Sequence, residues 1–163
     1  MLEIVKYTDE KEKVIELLTE LQNHLVRVDD EKVQILKDSY GESYFALLFQ
    51  RVEKYNGVVF LAKAGNEIVG MIAGYVEPKD EEDMITNRCP KRGIIAELIV
   101  SSQFRSQGVG TELMNALEQY FYDIGCEFIA VSVFAPNKSA ESFYEHLGYA
   151  PRNIELYKRI LRN

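Results

Sequence analysis

One stretch of this chain, Gly93–Thr111, limits its possible folds more than any other. The apolar run from Ile94 to Val100, interrupted by Glu97, predicts a buried strand. A polar turn follows, and Gly108-Val109-Gly110 then opens a segment whose apolar residues recur at helical spacing. A strand, a glycine-containing turn and a helix start leave unpaired backbone N–H groups at one point. The stretch therefore predicts a site for an anion such as phosphate.

Two better-known glycine motifs do not fit this turn. A P-loop requires lysine followed by serine or threonine after its last glycine, whereas Gly110 is followed by Thr111 and Glu112. A dinucleotide-binding fingerprint requires a small residue three positions after its second glycine, where this chain has Leu113. Glycines at such a turn can also serve only to let a strand and a helix pack closely. From spacing alone, a phosphate site and simple packing both stay open.

The pattern that fits is Arg-x-x-Gly-x-Gly, Arg105 to Gly110, directly after the Glu-Leu-x-Val of Glu97 to Val100. This pattern resembles the acetyl-coenzyme A loop of the GCN5-related N-acetyltransferases. A later segment is similar to the other coenzyme-binding segment of that family, and it matches at Asn137, Ala140, Phe143, Tyr144, Leu147, Gly148 and Tyr149. Two motifs in the right order, one helix and one strand apart, are more specific than either alone. The resemblance is good from about Gly57 to Tyr149.

The resemblance implies acetyl transfer from acetyl-coenzyme A to a primary amine of a small molecule or peptide, by direct attack and without a metal. It implies that the pyrophosphate is bound at the backbone of Arg105, Ser106, Gln107, Gly108, Val109, Gly110 and Thr111. It places the pantetheine arm along Leu98, Ile99 and Val100, with Asn137 in contact with the arm. Arg105 either pairs with a phosphate or only braces the turn.

Glu97 and Tyr144 are the candidate catalytic residues. A lysine-like amine has a pKa of about 10.4 and must lose a proton before it attacks. Glu97 is the candidate general base, because burial in an apolar strand would raise the pKa of its carboxyl. Tyr144 matches the family's general acid, which protonates the departing thiolate, and it is also counted among the cofactor-binding residues. The simpler readings are a Glu97 that faces solvent or a structural partner, and a Tyr144 that only fills a core.

The composition limits the remaining functions. The net charge of −7 disfavours nonspecific binding to nucleic acid. The two histidines and the distant Cys89 and Cys126 have no metal-ligand spacing, so no metal is expected. The apolar runs are too short to span a bilayer, and the first residues do not resemble a secretory signal. We expect a cytoplasmic protein with no membrane partner and a possible homodimer. A non-catalytic sensor of acyl-coenzyme A is the alternative function.

The order of elements predicts the fold class. That order predicts an α/β (α+β) class with one mixed central sheet and helices on both faces. The resemblance implies a single GNAT-like domain over residues 1–163, with about six to seven strands in this sheet. The predicted elements include a helix from about Glu10 to Val26, a helical piece after Asp29-Asp30, a helix over Ser43–Tyr55 and a last strand at about Ile154–Leu161.

The acceptor site is the part of the chain that the motifs leave open. In the family that the chain resembles, the region between the first two strands contributes to that site, so Tyr40, Tyr44 and Phe45 are candidate substrate-wall residues. The polar loop 78–92 contains the acidic run Asp80–Asp83. This run is either a lip that attracts a cationic substrate or simply a solvated loop. Residues 1–56 and loop 78–92 would decide which amine is used.

Overall fold

The structure is a computed structural model that describes residues 1–86 and 88–160. It forms two compact units, Met1–Ser132 and Val133–Asn163, and each is described by itself. The single domain predicted over residues 1–163 stays a prediction. The elements of the first unit are β1 (Leu2–Lys6), α1 (Lys11–Val28), α2 (Tyr40–Lys54), β2 (Val58–Ala64), β3 (Glu67–Val76), α3 (Glu81–Thr86), β4 (Arg92–Val100), a 3-10 turn (Ser102–Phe104), α4 (Val109–Asp123) and β5 (Phe128–Val131). The second unit contains α5 (Lys138–His146).

The first unit is built on one mixed sheet. Its strand order is β1-β2-β3-β4-β5, with antiparallel pairs throughout except for the parallel pair of β4 and β5. Gly65-Asn66, a residue pair typical of two-residue turns, connects β2 and β3. The predicted fold class is confirmed, because helices cover this mixed sheet on both faces.

The two faces of the sheet carry different helices. Met71 and Ala73 of β3 pack in one buried cluster with Val14, Leu17 and Leu18 of α1 and Leu48 of α2. Neighbouring strand residues point to opposite faces, so Gly70 and Gly74 point toward α4. A Cβ added at Gly74 would meet the Phe121 and Leu117 side chains, and both residues are fully buried. Burial of these two apolar layers is the main favourable term for the unit.

Gly93, the first residue of the key stretch, is explained by close approach. A Cβ at this position would lie 2.6–2.7 Å from three ring atoms of Phe121 in α4. Real Cβ atoms do not approach other carbons so closely, so any larger residue would push α4 away from the sheet. This glycine therefore lets α4 lie flat on β4.

The sheet has five strands, fewer than the six to seven predicted. The predicted last strand at Ile154–Leu161 is wrong over its described part, because residues 154–160 form no ladder. Ile154, Leu156, Tyr157 and Ile160 are 79–88% exposed. Apolar alternation favours a strand only where a neighbouring strand and a buried face receive it.

The segment between α1 and α2 also differs from expectation. The helical piece predicted after Asp29-Asp30 does not form, and α2 begins at Tyr40 rather than near Ser43. The carboxylate of Asp29 is 3% exposed and accepts backbone N–H groups from Glu31, Val33 and Gln34. These bonds hold the pKa of Asp29 below its ordinary value. A side chain that caps a turn in this way competes with helix formation.

A short helix forms where a loop was predicted. Within the polar loop 78–92, residues Glu81–Thr86 form α3, which starts with three acidic side chains. The carboxylate of Asp80 accepts the N–H of Asp83 and so caps this helix. Met84 and Ile85 are exposed on it. None of the described helices, α3 included, is long and apolar enough to cross a membrane.

Glu10, the residue before α1, connects the start of this helix to β2. Its carboxylate pairs with Lys63 of β2 at 2.9 Å and accepts the N–H groups of Thr8 and Asp9. The Lys63 bond, followed by the bond from Thr8, lowers the pKa of Glu10 to about 2. A carboxyl with a lowered folded-state pKa stabilises the fold above its ordinary pKa and loses that effect as the pH falls.

We expect Glu10→Gln to lower the free energy of unfolding at pH 7 by about 1 kcal/mol, the upper end for a partly exposed ion pair. This corresponds to about 2–4 °C in Tm for a chain of this size. Thermal unfolding between pH 2 and pH 7 is the measurement. The difference from the wild type should disappear as the pH falls through about 4.5 toward 2. The exposed Glu53→Gln is the control, and a difference that persists at pH 2 would contradict this account.

Candidate active site

The central feature of the site is the point where β4 and β5 separate. The parallel ladder joins Arg92–Ile95 of β4 to Phe128–Val131 of β5 and ends there. β4 itself continues to Val100. On the β5 side, residues 96–100 of β4 therefore have no partner strand among those described. Their outward backbone groups are available to a ligand of extended shape.

The direction of these backbone groups follows from the ladder between β3 and β4. The N–H of Ser101 donates to the carbonyl of Val69 at 2.8 Å, so this pair is a hydrogen-bonded one. Hydrogen-bonded positions alternate along an antiparallel pair. Ile99 therefore also bonds to β3, whereas Leu98 and Val100 direct their N–H groups toward the open side. Of the three β4 residues predicted to bind cofactor, Leu98 and Val100 have the available donors.

A β-bulge determines where the Glu97 side chain points. Glu97 pairs with Ala73 and Ile95 with Gly74, so Ala96 is an extra residue in β4. In regular alternation from Ile95, Glu97 would lie on the same face as Ile95, against the apolar layer of α4. The bulge instead places Glu97 on the face of Ala73, toward α2. Of the readings of Glu97 left open by the sequence, the one in which it faces solvent does not describe this structure.

Glu97 accepts a hydrogen bond from one of two stacked tyrosines of α2. The hydroxyl of Tyr44 donates a hydrogen bond to Oε1 of Glu97. The Tyr44 ring stacks on that of Tyr40, with centroids 5.2 Å apart and planes 12° from parallel. Burial raises the pKa of Glu97 to about 6, although the Tyr44 bond and the charge of Arg51 lower it. At pH 7 this carboxyl is about nine-tenths ionised, which suits a general base.

The turn before α4 has the geometry of an anion site. Gly108 is the N-cap of α4 at φ 84, and no side chain caps the helix there. The first hydrogen bond of α4 runs from Glu112 to the Gly108 carbonyl. The N–H groups of Val109, Gly110 and Thr111 precede it, and the first turn of a helix has no earlier carbonyl to pair with. A Cβ added at Gly108 would meet nothing within 4 Å, so the space in front of this turn is open.

Arg105 braces the strand that leads into this turn. Its Nε donates to the Val100 carbonyl at 3.0 Å, and its Nη2 lies 3.4 Å from Oε1 of Glu20 in α1. The same Glu20 oxygen accepts the Ser102 N–H at 2.9 Å. Ser106 has φ 60, in the left-handed region, and Gln107 donates from its side chain to the Gln103 carbonyl. The loop is therefore fixed from α1 and from within before any ligand binds.

The other basic residues near this stretch are engaged elsewhere. Arg88 pairs with Glu127, Arg92 pairs with Glu77, and Lys91 donates to the Ile124 carbonyl. In the described part of the chain, no group of three or more His, Cys, Asp or Glu side chains is arranged to hold a metal ion. An anion bound at this turn would therefore contact mainly backbone N–H groups and the positive end of the helix dipole.

Comparison with known proteins decides the family. The sequence model of the acetyltransferase (GNAT) family matches residues 18–149. The chain belongs to the GNAT family. It is 29% identical over 110 residues to N-alpha-acetyltransferase 30 of Xenopus laevis, which covers 68% of this chain and 37% of that protein. It is 25% identical over 120 residues to glucosamine 6-phosphate N-acetyltransferase of Arabidopsis thaliana, covering 74% of this chain and 78% of that protein.

A solved structure shows the same GNAT fold. A putative acetyl transferase from Pyrococcus furiosus superposes with a TM-score of 0.75 over 98% of this chain and 100% of that one, at 21% identity. The chain spans only 37% of the length of the frog N-alpha-acetyltransferase.

The first unit of this GNAT chain brings together most of the predicted site. Leu98, Ile99 and Val100 lie on β4 beside Glu97, and the predicted loop residues lie directly after them along Arg105–Thr111. Of the three candidate substrate-wall residues, Tyr40 and Tyr44 lie next to Glu97. Phe45 instead stacks on Phe49 at 4.1 Å and packs against the α1–α2 core cluster.

Asn137 and Tyr144 belong to the second unit. Asn137 is the N-cap of α5, and its side chain accepts a hydrogen bond from Ser139. Tyr144 is 8% exposed, and its ring makes T-shaped contacts with Phe143 at 5.4 Å and with Tyr149 at 5.6 Å. These contacts pack the Tyr144 ring within its own unit.

Two contacts at the candidate site were not predicted from the sequence: the bond from Tyr44 to Glu97 and the bonds to Glu20. Tyr44 was predicted as a wall residue but not as the hydrogen-bond partner of Glu97, from which it is 53 residues away. Glu20, which anchors Ser102 and Arg105, gives no signal in the sequence because it is one of several acidic residues on α1. Only the folded sheet brings these residues together, so no local pattern could have found them.

Proposed function

We propose that this protein is an N-acetyltransferase that transfers an acetyl group from acetyl-coenzyme A to a primary amine of a small molecule or peptide. One observation carries the proposal. A carboxylate with a raised pKa, Glu97, lies in β4 just beyond the point where β5 separates and just before the open turn at Gly108. A base, an open strand edge and an anion site are thus arranged in sequence along one element.

The residues present fit acetyl-coenzyme A. The turn at Gly108 offers open space and the first-turn N–H groups of α4 to the pyrophosphate. The outward N–H groups of Leu98 and Val100 would bind the extended pantetheine arm and its thioester, with Asn137 as a further contact. When bound, acetyl-coenzyme A supplies the acetyl group as a thioester. A backbone N–H such as that of Val100, donating to the carbonyl oxygen, is typically worth ~2.7–4 kcal/mol in the transition state.

Glu97 would prepare the acceptor. It takes a proton from the acceptor ammonium, either directly or through a water molecule. The neutral nitrogen then forms the C–N bond while the C–S bond breaks. A base with a pKa of about 6 is matched to this task near neutral pH. Tyr144 would donate a proton to the departing sulfur. The second proton, which the nitrogen loses as the amide forms, would return to the Tyr144 oxygen through water.

Tyr144→Phe tests the proposed role of Tyr144 as the general acid. We expect kcat to fall by about tenfold while the Kd for coenzyme A stays within about twofold. The loss is smaller than is usual for an acid–base residue, because a thiol with a pKa of about 8.5 is already a good leaving group. Steady-state kinetics and calorimetric titration are the measurements. Tyr157→Phe, which removes a hydroxyl from an exposed ring, is the control. Unchanged kcat in Tyr144→Phe would remove Tyr144 as the acid.

The proposed class of acceptor is supported by two residues of α2 and by the names of two relatives. The names of the two relatives refer to N-alpha groups and to glucosamine 6-phosphate, both of which are primary amines. Tyr40 and Tyr44 line the approach to Glu97. The three acidic side chains that begin α3 would favour a cationic acceptor. Residues 1–56 and loop 78–92 would therefore select the amine.

The proposal also covers the location, the partners and the oligomeric state of the protein. We propose a cytoplasmic protein without nucleic-acid or membrane partners that can form a homodimer. The net charge of −7 supports the part on nucleic acid. Neither Cys89 nor Cys126 is in a disulfide, which is typical of proteins in a reducing compartment.

Binding and turnover measured together test the proposed function. Purified protein is titrated with acetyl-coenzyme A in a calorimeter, and release of the free thiol is then followed with pools of primary amines. Saturable binding together with amine-dependent thiol release is expected. Binding without release over the whole amine panel would favour the non-catalytic acyl-coenzyme A sensor, and absence of binding would exclude both functions.

A further inference from the structure

We propose that Tyr44 is a positioning residue for Glu97: its hydroxyl holds one carboxylate oxygen of the base and leaves the other for the acceptor amine. This inference rests on the proposed function, because it assigns a role toward the base of that reaction. The hydrogen bond that carries it runs from Tyr44 Oη to Glu97 Oε1 and joins α2 to β4. It engages Oε1 only, so Oε2 is the oxygen that would face the amine.

The donor is held in place from its own helix. The Tyr44 ring stacks on Tyr40 with centroids 5.2 Å apart, and both rings are half-buried. Tyr40 is the first residue of α2, and its N–H donates to the Lys37 carbonyl at 2.9 Å. One turn of helix separates the two tyrosines, which is the spacing that brings side chains onto one face. The stacked pair therefore restricts where the Tyr44 hydroxyl can point.

The acceptor of the bond is equally constrained. The bulge at Ala96 turns Glu97 toward α2, and β4 is paired with β3 on both sides of this point. The α1 and β3 side chains in the core cluster of this face are apolar. The titratable and charged groups that face Glu97 come from α2 and are Tyr40, Tyr44 and Arg51. Of these, Tyr44 is the group that donates a hydrogen bond to Glu97.

The protonation states of Tyr44 and Glu97 are consistent with this role. Burial, with the nearby charge of Glu97, raises the pKa of Tyr44 well above its ordinary value, so the hydroxyl keeps its proton and donates throughout. During the reaction the acceptor N–H bond breaks and an O–H bond forms at Oε2 of Glu97. The Tyr44 bond stabilises the carboxylate form of Glu97, so its removal raises the pKa of Glu97.

Tyr44→Phe is the first test, because it removes the hydroxyl and keeps the ring. We expect the acid limb of the kcat/KM profile to move to higher pH by about one pH unit. Below the limb, kcat/KM falls by about tenfold, and the loss shrinks as the pH rises. Tyr122→Phe is the control, since it removes a hydroxyl from an exposed ring of α4. Its acid limb is expected to stay at the wild-type position.

A second measurement needs no acceptor. Carbon-13 NMR follows the side-chain carboxyls of labelled glutamate, and Glu97→Gln assigns the Glu97 signal. The wild-type signal is expected to titrate near pH 6, and the signal in Tyr44→Phe at higher pH. Thermal unfolding checks that the variant folds. A Glu97 that titrates at its ordinary value in the wild type, or at the same pH in both proteins, overturns the inference.

Failure of this inference and failure of the proposed function give different results. An unchanged Glu97 titration in Tyr44→Phe overturns the inference even if the wild type acetylates amines rapidly. A wild type that binds acetyl-coenzyme A and acetylates no amine overturns the proposed function, whatever the NMR titration shows.

Discussion

Replacing Gly108 by glutamate is expected to abolish the binding of coenzyme A, with the Kd raised by at least about 100-fold. Gly108 is the N-cap of α4 at φ 84, and the space in front of it is open. A glutamate here would place a carboxylate where the pyrophosphate is proposed to bind, and it would itself interact with the N–H groups of the helix start. Steric exclusion and charge repulsion then act together. Calorimetric titration with coenzyme A is the measurement.

Gly125→Glu is a closely matched control for that substitution. Gly125 follows the other end of α4, also has a positive φ of 78, and likewise has nothing within 4 Å of an added Cβ. Both variants should lose about 1–2 kcal/mol of stability, because a side chain is strained in the left-handed region. Only Gly108→Glu should lose coenzyme A. If both variants bind coenzyme A as tightly as the wild type does, the proposed cofactor loop is wrong.

Glu97→Gln is expected to lower kcat/KM by about 100-fold or more, within the range of about 10²–10⁴ usual for a general base. The amide keeps a carbonyl oxygen that can accept the Tyr44 hydrogen bond, so the local geometry is retained. It cannot take a proton from the acceptor. The Kd for coenzyme A should stay within about twofold. Steady-state kinetics over pH 5–9 is the measurement, and Glu3→Gln, which neutralises an exposed carboxylate of β1, is the control.

The same substitution should not destabilise the protein. The pKa of Glu97 is raised to about 6 from an ordinary value of 4.5, so the folded state binds the proton more tightly than the unfolded chain does. Stability from this group is therefore present below about pH 4.5 and lost as the pH rises through 6. At pH 7 Glu97→Gln is expected to unfold at the same temperature as the wild type or a higher one. Lower activity with equal or higher stability would distinguish a functional carboxylate from a structural one.

The sequence predicted the elements whose causes are local. Gly65-Asn66 requires only a two-residue turn between two β-rich runs, and β2 and β3 form there. Gly108 predicts a helix start because a left-handed N-cap favours glycine, and α4 begins at the next residue. The apolar spacing of Leu113, Leu117 and Phe121 predicts the face of α4 that is buried, and all three are fully buried.

The features that the sequence could not predict have tertiary causes. Asp29 stops a predicted helix because its buried carboxylate binds three backbone N–H groups of the following turn. The direction of Glu97 depends on one extra residue in β4, which simple alternation of apolar and polar residues does not reveal. The exposed segment from Ile154 to Ile160 alternates like a strand but pairs with no strand among the described residues. In each case the deciding contact is distant or depends on strand register.

The central claim is acetyl transfer to an amine, and mass spectrometry of the acceptor tests it most directly. Wild-type protein and Glu97→Gln are incubated with acetyl-coenzyme A and a panel of peptides with free N-termini, amino sugars, polyamines and amino acids. The account predicts that at least one amine gains the mass of one acetyl group, and that this product forms at least about 100-fold more slowly with Glu97→Gln. Wild-type protein that binds acetyl-coenzyme A yet leaves every amine unmodified would contradict it.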